Sequence, residues 1–210
     1  MDNRIRAVFK DINSIELIQE KLPKLFYIAE LESSRAGKIG MEVGSVREKI
    51  IVSFLIYKFG ENNVETEIPI TEPEIDVKVF NNPISIKTIT GTSFSGVKLI
   101  WTVDSTSVIN FKNKYKPSCD MIFIKINWDN KGSFFYIPQE VQSEVFCQIG
   151  RDNYIKLPKL GTNPRGAEIS SVALKALVEH DDTIKIPILW KKEIINYNVY
   201  NKWIELWQQN

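Results

Sequence analysis

The chain has 210 residues, a formal net charge of +1 and 25% charged residues, which is an ordinary globular composition with room for a buried core. A near-neutral total excludes a global basic field, so a nucleic-acid partner would have to bind a local patch. The first residues carry acids without an apolar segment, and no run approaches the roughly 20 apolar residues of a membrane span. We therefore expect neither a signal peptide nor a membrane segment.

Histidine and cysteine are too few for several kinds of catalytic site. His180 is the only histidine, and its position at the end of an amphipathic stretch favours a helix terminus. A histidine-based zinc site is excluded, because it needs more than one such ligand. Cys119 and Cys147 lack CxxC spacing, which predicts buried free thiols in a reducing cytoplasm.

Apolar periodicity predicts an α/β protein with a mixed β-sheet flanked by helices. Pro23 is expected to interrupt the first helix, and Ser45 and Glu48 have capping-box spacing at the start of the second. Residues 33–44 read as a glycine-spaced basic loop. The predicted helices are 13–31, 45–59, 105–115, 170–179 and 192–208, and the predicted strands are 64–70, 74–80, 83–90, 121–127, 133–137 and 183–189.

Two of these strands form a hairpin with polar side chains on one face. If Asn81-Asn82 is a two-residue turn, strand alternation puts Asp76, Ser85 and Lys87 on the same face, with Asp76 opposite Lys87. A solvated sheet face is one explanation, and its ion pair would contribute at most about 1 kcal/mol. A functional site is the other.

The preceding helix carries an acid on its apolar stripe. Glu48 lies three and four residues before Ile51 and Val52, so it either folds back to cap the helix at Ser45 or points toward Asp76. Two carboxylates converging near a lysine would repel each other unless a cation lies between them. Such oxygen ligands suit Mg²⁺.

Glu48, Pro73-Glu74-Ile75-Asp76 and Ser85-Ile86-Lys87, in this order, resemble the PD-(D/E)XK nuclease superfamily, and the αβββαβ order of elements agrees. The resemblance covers about residues 45–127. Chain size and the glycine-basic loops are similar to type II restriction endonucleases of the blunt-cutting ThaI kind.

The resemblance implies a restriction-endonuclease-like core at about 45–137, within one endonuclease domain that covers 1–210. It further implies double-stranded DNA as substrate, Mg²⁺ as cofactor and a homodimer. The N-terminal helices, 1–44, and the C-terminal part, 138–210, would then serve DNA recognition or dimerisation.

Specific roles follow from the same resemblance. Asp76, Glu48 and the Ile86 carbonyl would hold the metal. Lys87 would orient or deprotonate the attacking water and offset charge on the phosphorane-like transition state. Ser85 would hold a water.

Two points about the acids stay open. Ser85 stands where the superfamily usually has Asp or Glu, so another residue must supply that carboxylate, and the candidates are Glu48, which we favour, and Asp104. The second point is the register, since Asp76-Val77-Lys78 is itself a D-x-K. That register would require an acid such as Glu65 or Glu67 on the preceding strand and would leave Lys87 without a role.

Three basic or glycine-containing segments are candidates for DNA contact. Glycines permit close backbone approach, arginine and asparagine suit base edges, and an apolar side chain can act as a wedge between base steps. The predicted contacts are Arg35, Lys38, Met41, Arg47, Ser93, Ser95, Lys98, Asn163 and Arg165.

Other functions remain compatible with the sequence. A structure-selective or repair nuclease of the same fold would share the site. The serine at position 85 would also fit a non-catalytic DNA-binding module with a degraded nuclease core. A plain α/β interaction protein is the third alternative.

Overall fold

The computed structural model describes residues 3–35, 38–40, 42–69, 72, 74–102, 104–159 and 166–209. The helices are α1 (Asn3–Val8), α2 (Ile12–Glu32), α3 (Val43–Phe59), α4 (Ser105–Lys114), α5 (Gln139–Ile149), α6 (Arg151–Tyr154), α7 (Ser171–Glu179) and α8 (Asn201–Gln208). The strands are β1 (Ser34–Arg35), β2 (Lys38–Ile39), β3 (Val64–Glu65), β4 (Val77–Val79), β5 (Asn82–Thr90), β6 (Val97–Lys98), β7 (Asp120–Ile126), β8 (Asn130–Ile137), β9 (Ile155–Lys156), β10 (Glu168–Ile169) and β11 (Ile184–Trp190).

A mixed sheet organises the fold. Within the described part of the chain it has six strands in the order β11-β8-β7-β5-β4-β3. β5 pairs parallel with β7 through a connection that contains α4, and the other neighbours pair antiparallel. The predicted α/β class with a mixed sheet is confirmed, and β11 carries the sheet beyond the predicted core range of 45–137.

The sheet is covered on both faces. One hydrophobic cluster joins α1, α2 and α3 to the sheet through residues such as Phe26, Ile84 and Ile124. The other joins the opposite face to α4, α5 and α7 and includes Phe123 and Leu174. Because β7 is buried on both faces, it reads as a nearly continuous apolar run rather than an alternating one.

The hairpin of β4 and β5 differs from its predicted register. Val79 pairs with Asn82 and Lys78 with Pro83, so the turn is Phe80-Asn81 instead of Asn81-Asn82. Both turn residues have positive φ, 49° and 64°, as a type I′ turn requires. The shift changes the predicted pairing by two residues, and since the side-chain period of a strand is also two, every side chain keeps its predicted face.

Several predicted boundaries were wrong. α2 continues through Pro23 instead of breaking there. α3 begins at Val43, so Ser45 lies inside the helix and the predicted capping box with Glu48 does not form. The predicted terminal helix is confined to α8. Residues 34–39, expected as a loop, contain the short pair β1 and β2.

Both cysteines are free, as expected, but only Cys119 is buried while Cys147 is exposed. Among the described residues, the structure contains no helix that is both long and apolar enough to cross a membrane.

Arg47 is a buried structural residue, which contradicts the prediction that it contacts DNA. Its guanidinium donates to Glu30 Oε1 at 2.7 Å and to the Thr90 hydroxyl at 3.1 Å, and the arginine side chain is 5% exposed. Trp128 Nε1 donates to the same Glu30 oxygen, while the Lys192 ammonium lies 2.9 Å from Oε2. The network ties α2, α3 and the end of β5 together.

We expect Arg47→Met to lower the free energy of unfolding by about 3 kcal/mol, because Glu30 would remain buried without its main counterion. Urea denaturation measures the change. Lys21→Met is the matched control, since Lys21 pairs with Glu20 at the surface, and its effect should stay within about 0.5 kcal/mol. A loss below about 1 kcal/mol for Arg47→Met would contradict a structural role of this size.

Candidate active site

Asp76 is held by three donors from the neighbouring strand. Its Oδ2 accepts from the Ser85 hydroxyl at 3.3 Å, the Ile86 amide at 2.5 Å and the Lys87 ammonium at 2.9 Å. None of the described residues donates to Oδ1. The side chains of Asp76 and Lys87 are 15% and 16% exposed, so the ion pair is shielded but open on one side.

Ile86 presents its main chain to the same place. The β4–β5 ladder ends at Val77 and Ile84, and Ile86 donates its amide to the Asp76 side chain instead of to a strand. Because the N–H and C=O of one strand residue point to the same side, the Ile86 carbonyl also faces this edge.

Glu48 interacts electrostatically with Asp76 and Lys87. Burial raises the pKa of Glu48, the negative charge of Asp76 raises it further, and the nearby Lys87 and Lys49 ammonium groups oppose the shift. Its carboxylate is therefore close enough to Asp76 for the two to repel each other. The structure brings Glu48, Asp76 and Lys87 close together. Strand alternation and the position of Glu48 on the apolar stripe of its helix predicted this proximity.

An open cleft of about 810 Å³ gives access to these groups. Its lining includes Glu48, Asp76 and Lys87 together with Lys98 and Trp101. Trp101 is 60% exposed, which is unusual for so large an aromatic side chain. The cleft is therefore open to solvent on the side of Trp101.

A second acid, Glu74, lies two residues before Asp76 and interacts electrostatically with Asp76 and Lys87. Glu74 is buried and accepts from the Tyr115 hydroxyl at 2.7 Å and the Ser118 hydroxyl at 3.1 Å. Burial raises the pKa of Glu74, and these hydrogen bonds partly counter the shift. Sequence reasoning assigned Glu74 no role, since its partners come from a segment more than 40 residues away. Pro73, the first residue of that motif, lies outside the described residues.

The alternative acids are engaged elsewhere or exposed. Asp104 caps α4 by accepting from the amides of Thr106 and Ser107. Lys78 pairs with Glu72 at 3.0 Å and lies 4.0 Å from Glu65, on the strand edge away from Lys87, while Glu67 is exposed. The geometry therefore favours Lys87 over Lys78 as the lysine of the site.

Two comparisons with known proteins found matches. The family model described as "Restriction endonuclease ThaI" matches residues 8–209. The chain belongs to the ThaI restriction endonuclease family. A solved structure described as "Restriction endonuclease in complex with substrate DNA" is 57% identical, with a TM-score of 0.90 over 97% of this chain and 98% of that one. No curated protein matches the chain.

Membership of the ThaI family confirms the predicted fold and function, and this chain is a type II restriction endonuclease.

The residues predicted to contact DNA have different surroundings. Arg35 and Lys38 are exposed on the β1–β2 pair, Ser93 and Ser95 are exposed after β5, and Lys98 lines the cleft. Arg47 is buried, as described above. Met41, Asn163 and Arg165 lie outside the described residues.

Sequence reasoning missed the surroundings of Lys98. Lys98 donates to Glu168 at 2.7 Å, and Lys156 lies 3.4 Å from the other oxygen of the same carboxylate. The three residues come from β6, β10 and β9, each only two residues long. A two-residue strand is too short to show an alternating pattern, so no sequence signal placed these side chains together.

We expect the pKa of Glu48 to move in opposite directions in two variants of this ThaI-family enzyme. Asp76→Asn removes the repelling charge and should lower the pKa, whereas Lys87→Met removes the attracting charge and should raise it. Carbon-detected NMR titration of labelled glutamate carboxyls measures both shifts. Lys78→Met should leave the pKa of Glu48 nearly unchanged. Shifts of the same sign in Asp76→Asn and Lys87→Met would refute the arrangement.

Proposed function

We propose that this restriction endonuclease hydrolyses phosphodiester bonds of double-stranded DNA with Mg²⁺ at the site formed by Glu48, Asp76, Ser85, Ile86 and Lys87. The observation that carries the proposal is the convergence of two carboxylates and one ammonium group in an open cleft. The site has the elements of the PD-(D/E)XK pattern, with Ser85 in place of the usual acid.

The residues fit Mg²⁺ chemically. Asp76 Oδ1 accepts no hydrogen bond from a described residue, the Ile86 carbonyl faces the same edge, and Glu48 is near enough to be repelled by Asp76. Among the described residues no three His, Cys, Asp or Glu side chains gather as a metal site. Mg²⁺ does not require three, since it is often held by one or two carboxylates together with waters and substrate phosphate.

When bound, Mg²⁺ would supply Lewis-acid stabilisation of charge on the scissile phosphate. The chain's own groups perform the remaining steps. Lys87, held by Asp76, places an ammonium group beside the phosphate, where it orients the attacking water and offsets the negative charge that develops. Ser85 and the Ile86 amide fix the Asp76 carboxylate, so that it need not reorient during the reaction.

We expect Lys87→Met to lower the cleavage rate at least about 100-fold while DNA binding is retained, because the variant loses charge stabilisation in the transition state. Initial rates on plasmid and phage DNA that the wild type converts to discrete bands with Mg²⁺, and not with EDTA, measure the loss.

Lys78→Met is the matched control for that experiment. It removes a lysine two residues from Asp76 whose partners are Glu72 and Glu65, so cleavage should persist. The opposite result, with Lys78 essential and Lys87 dispensable, would transfer the site to the Asp76-Val77-Lys78 register.

We further propose that the chain acts in the cytoplasm as a single-domain homodimer and that α8 forms part of the contact between subunits. Tyr200, Trp203, Ile204 and Trp207 share one face of the C-terminal segment and are each at least 47% exposed. An apolar face of this kind is typical of an interaction surface. A two-fold dimer would present the cleft twice to a palindromic DNA target.

The double substitution Trp203→Ser and Trp207→Ser should shift the protein toward monomers, since it removes the two largest apolar side chains of that face. Sedimentation velocity over a range of concentrations measures the shift. Val172→Ser, which alters an exposed apolar residue of α7, is the control and should leave association unchanged. A double variant that associates like the wild type would rule out α8 as the contact.

A further inference from the structure

A charged row of three residues crosses the small sheet beside the active-site cleft. Glu168 lies on the central strand β10, and it is paired in register with Lys98 of β6 on one side and Lys156 of β9 on the other. Its two oxygens meet the two ammonium groups separately, at 2.7 Å and 3.4 Å. We call these three residues the Lys-Glu-Lys row.

The row begins inside the cleft and leads out of it. Lys98 lines the cleft wall, and residues paired directly across neighbouring strands project from the same sheet face. Lys156, at the far end, is 61% exposed. Lys98 therefore belongs to the cleft wall, whereas Lys156 lies two strands farther on, outside the residues that line the cleft.

The row is fixed to the cleft wall by a close backbone contact. Gly166 has a φ of +92°, and a Cβ atom there would lie 1.7 Å from the Ile100 carbonyl oxygen. Only glycine fits, so the chain leading into β10 packs directly on the segment between Lys98 and Trp101. The position of Glu168 relative to the cleft is thus set by the main chain.

The Lys-Glu-Lys row contains charges of both signs. Burial would raise the pKa of Glu168, but hydrogen bonds and charge from Lys98 and then Lys156 outweigh burial and lower it. Glu168 is therefore ionised at neutral pH, and the row carries two positive charges and one negative. A phosphate that approaches the lysines is attracted by both, yet repelled by the carboxylate between them.

We propose that the Lys-Glu-Lys row binds a backbone phosphate of double-stranded DNA at the rim of the cleft, and that Glu168 limits the affinity for non-specific DNA. The proposal rests on the proposed function, since the phosphate belongs to the duplex whose scissile bond enters the cleft. Backbone contacts carry no sequence information, so a carboxylate that weakens them raises the ratio of specific to non-specific binding.

The test is binding of the full-length protein to a duplex without its cleavage site, in EDTA, over a range of salt concentrations. Glu168→Gln should tighten binding several-fold and make the slope of log affinity against log salt steeper by up to about 1. Lys156→Gln should weaken binding and make the slope shallower by about 0.9, the value expected for one lost phosphate contact.

Glu140→Gln is the matched control, because it neutralises a carboxylate paired with Arg6 outside the cleft, and it should bind like the wild type. Thermal melting establishes whether each variant is folded. If Glu168→Gln does not fold, Lys156→Gln decides the question, since Lys156 is largely exposed. Unchanged binding in Lys156→Gln, or in a folded Glu168→Gln, overturns the proposal and leaves a row that only stabilises the sheet.

This failure is distinct from failure of the proposed function. A wild-type protein that yields no Mg²⁺-dependent fragments from any DNA would contradict the catalytic assignment. A wild type that cleaves DNA at defined sites, combined with variants of the row that bind normally, would contradict the phosphate site alone.

Discussion

The arrangement of the site depends on one oxygen atom. Asp76 Oδ2 receives the Ser85 hydroxyl, the Ile86 amide and the Lys87 ammonium, which are three consecutive residues of β5. This geometry is possible only because the β4–β5 ladder stops before Asp76, which leaves an amide of β5 free to bind a side chain. The tight turn at Phe80-Asn81 fixes the register of these two strands.

The same geometry explains why the sequence predicted which side chains meet at the candidate site while misplacing the turn. Strand faces alternate with a period of two, so a register error of two residues left Asp76, Ser85 and Lys87 together. A helix tolerates an error in position less well, because the side chains of neighbouring residues point about 100° apart around its axis. Glu48 on α3 points to the cleft, but Arg47 next to it points into the core, and the sequence alone showed only a basic residue beside a glycine-containing loop.

Elements that depend on distant contacts could not be predicted at all. Glu74 meets Tyr115 and Ser118, and Glu168 meets two lysines from strands of two residues each. α5 carries apolar residues on one face, yet its sequence gave no capping signal, and its N-cap Pro138 makes no side-chain cap bond. In these places tertiary packing, rather than local propensity, selects the structure.

A net charge of only +1 goes together with extensive pairing of lysines and arginines with acids in this enzyme. Arg47 is neutralised in the core by Glu30, Lys78 by Glu72, and Lys98 and Lys156 share Glu168. Both lysines that line the cleft in the described part of the chain, Lys87 and Lys98, are paired with acids, which weakens their hold on DNA of arbitrary sequence, since such binding is mostly electrostatic. Lys87 is also paired, but its partner Asp76 has a second oxygen to which none of the described residues donates, and it is repelled by the neighbouring Glu48. Asp76 and Glu48 would hold a divalent cation whose charge offsets their mutual repulsion, while the Ser85 hydroxyl, the Ile86 amide and Lys87 keep Asp76 in place.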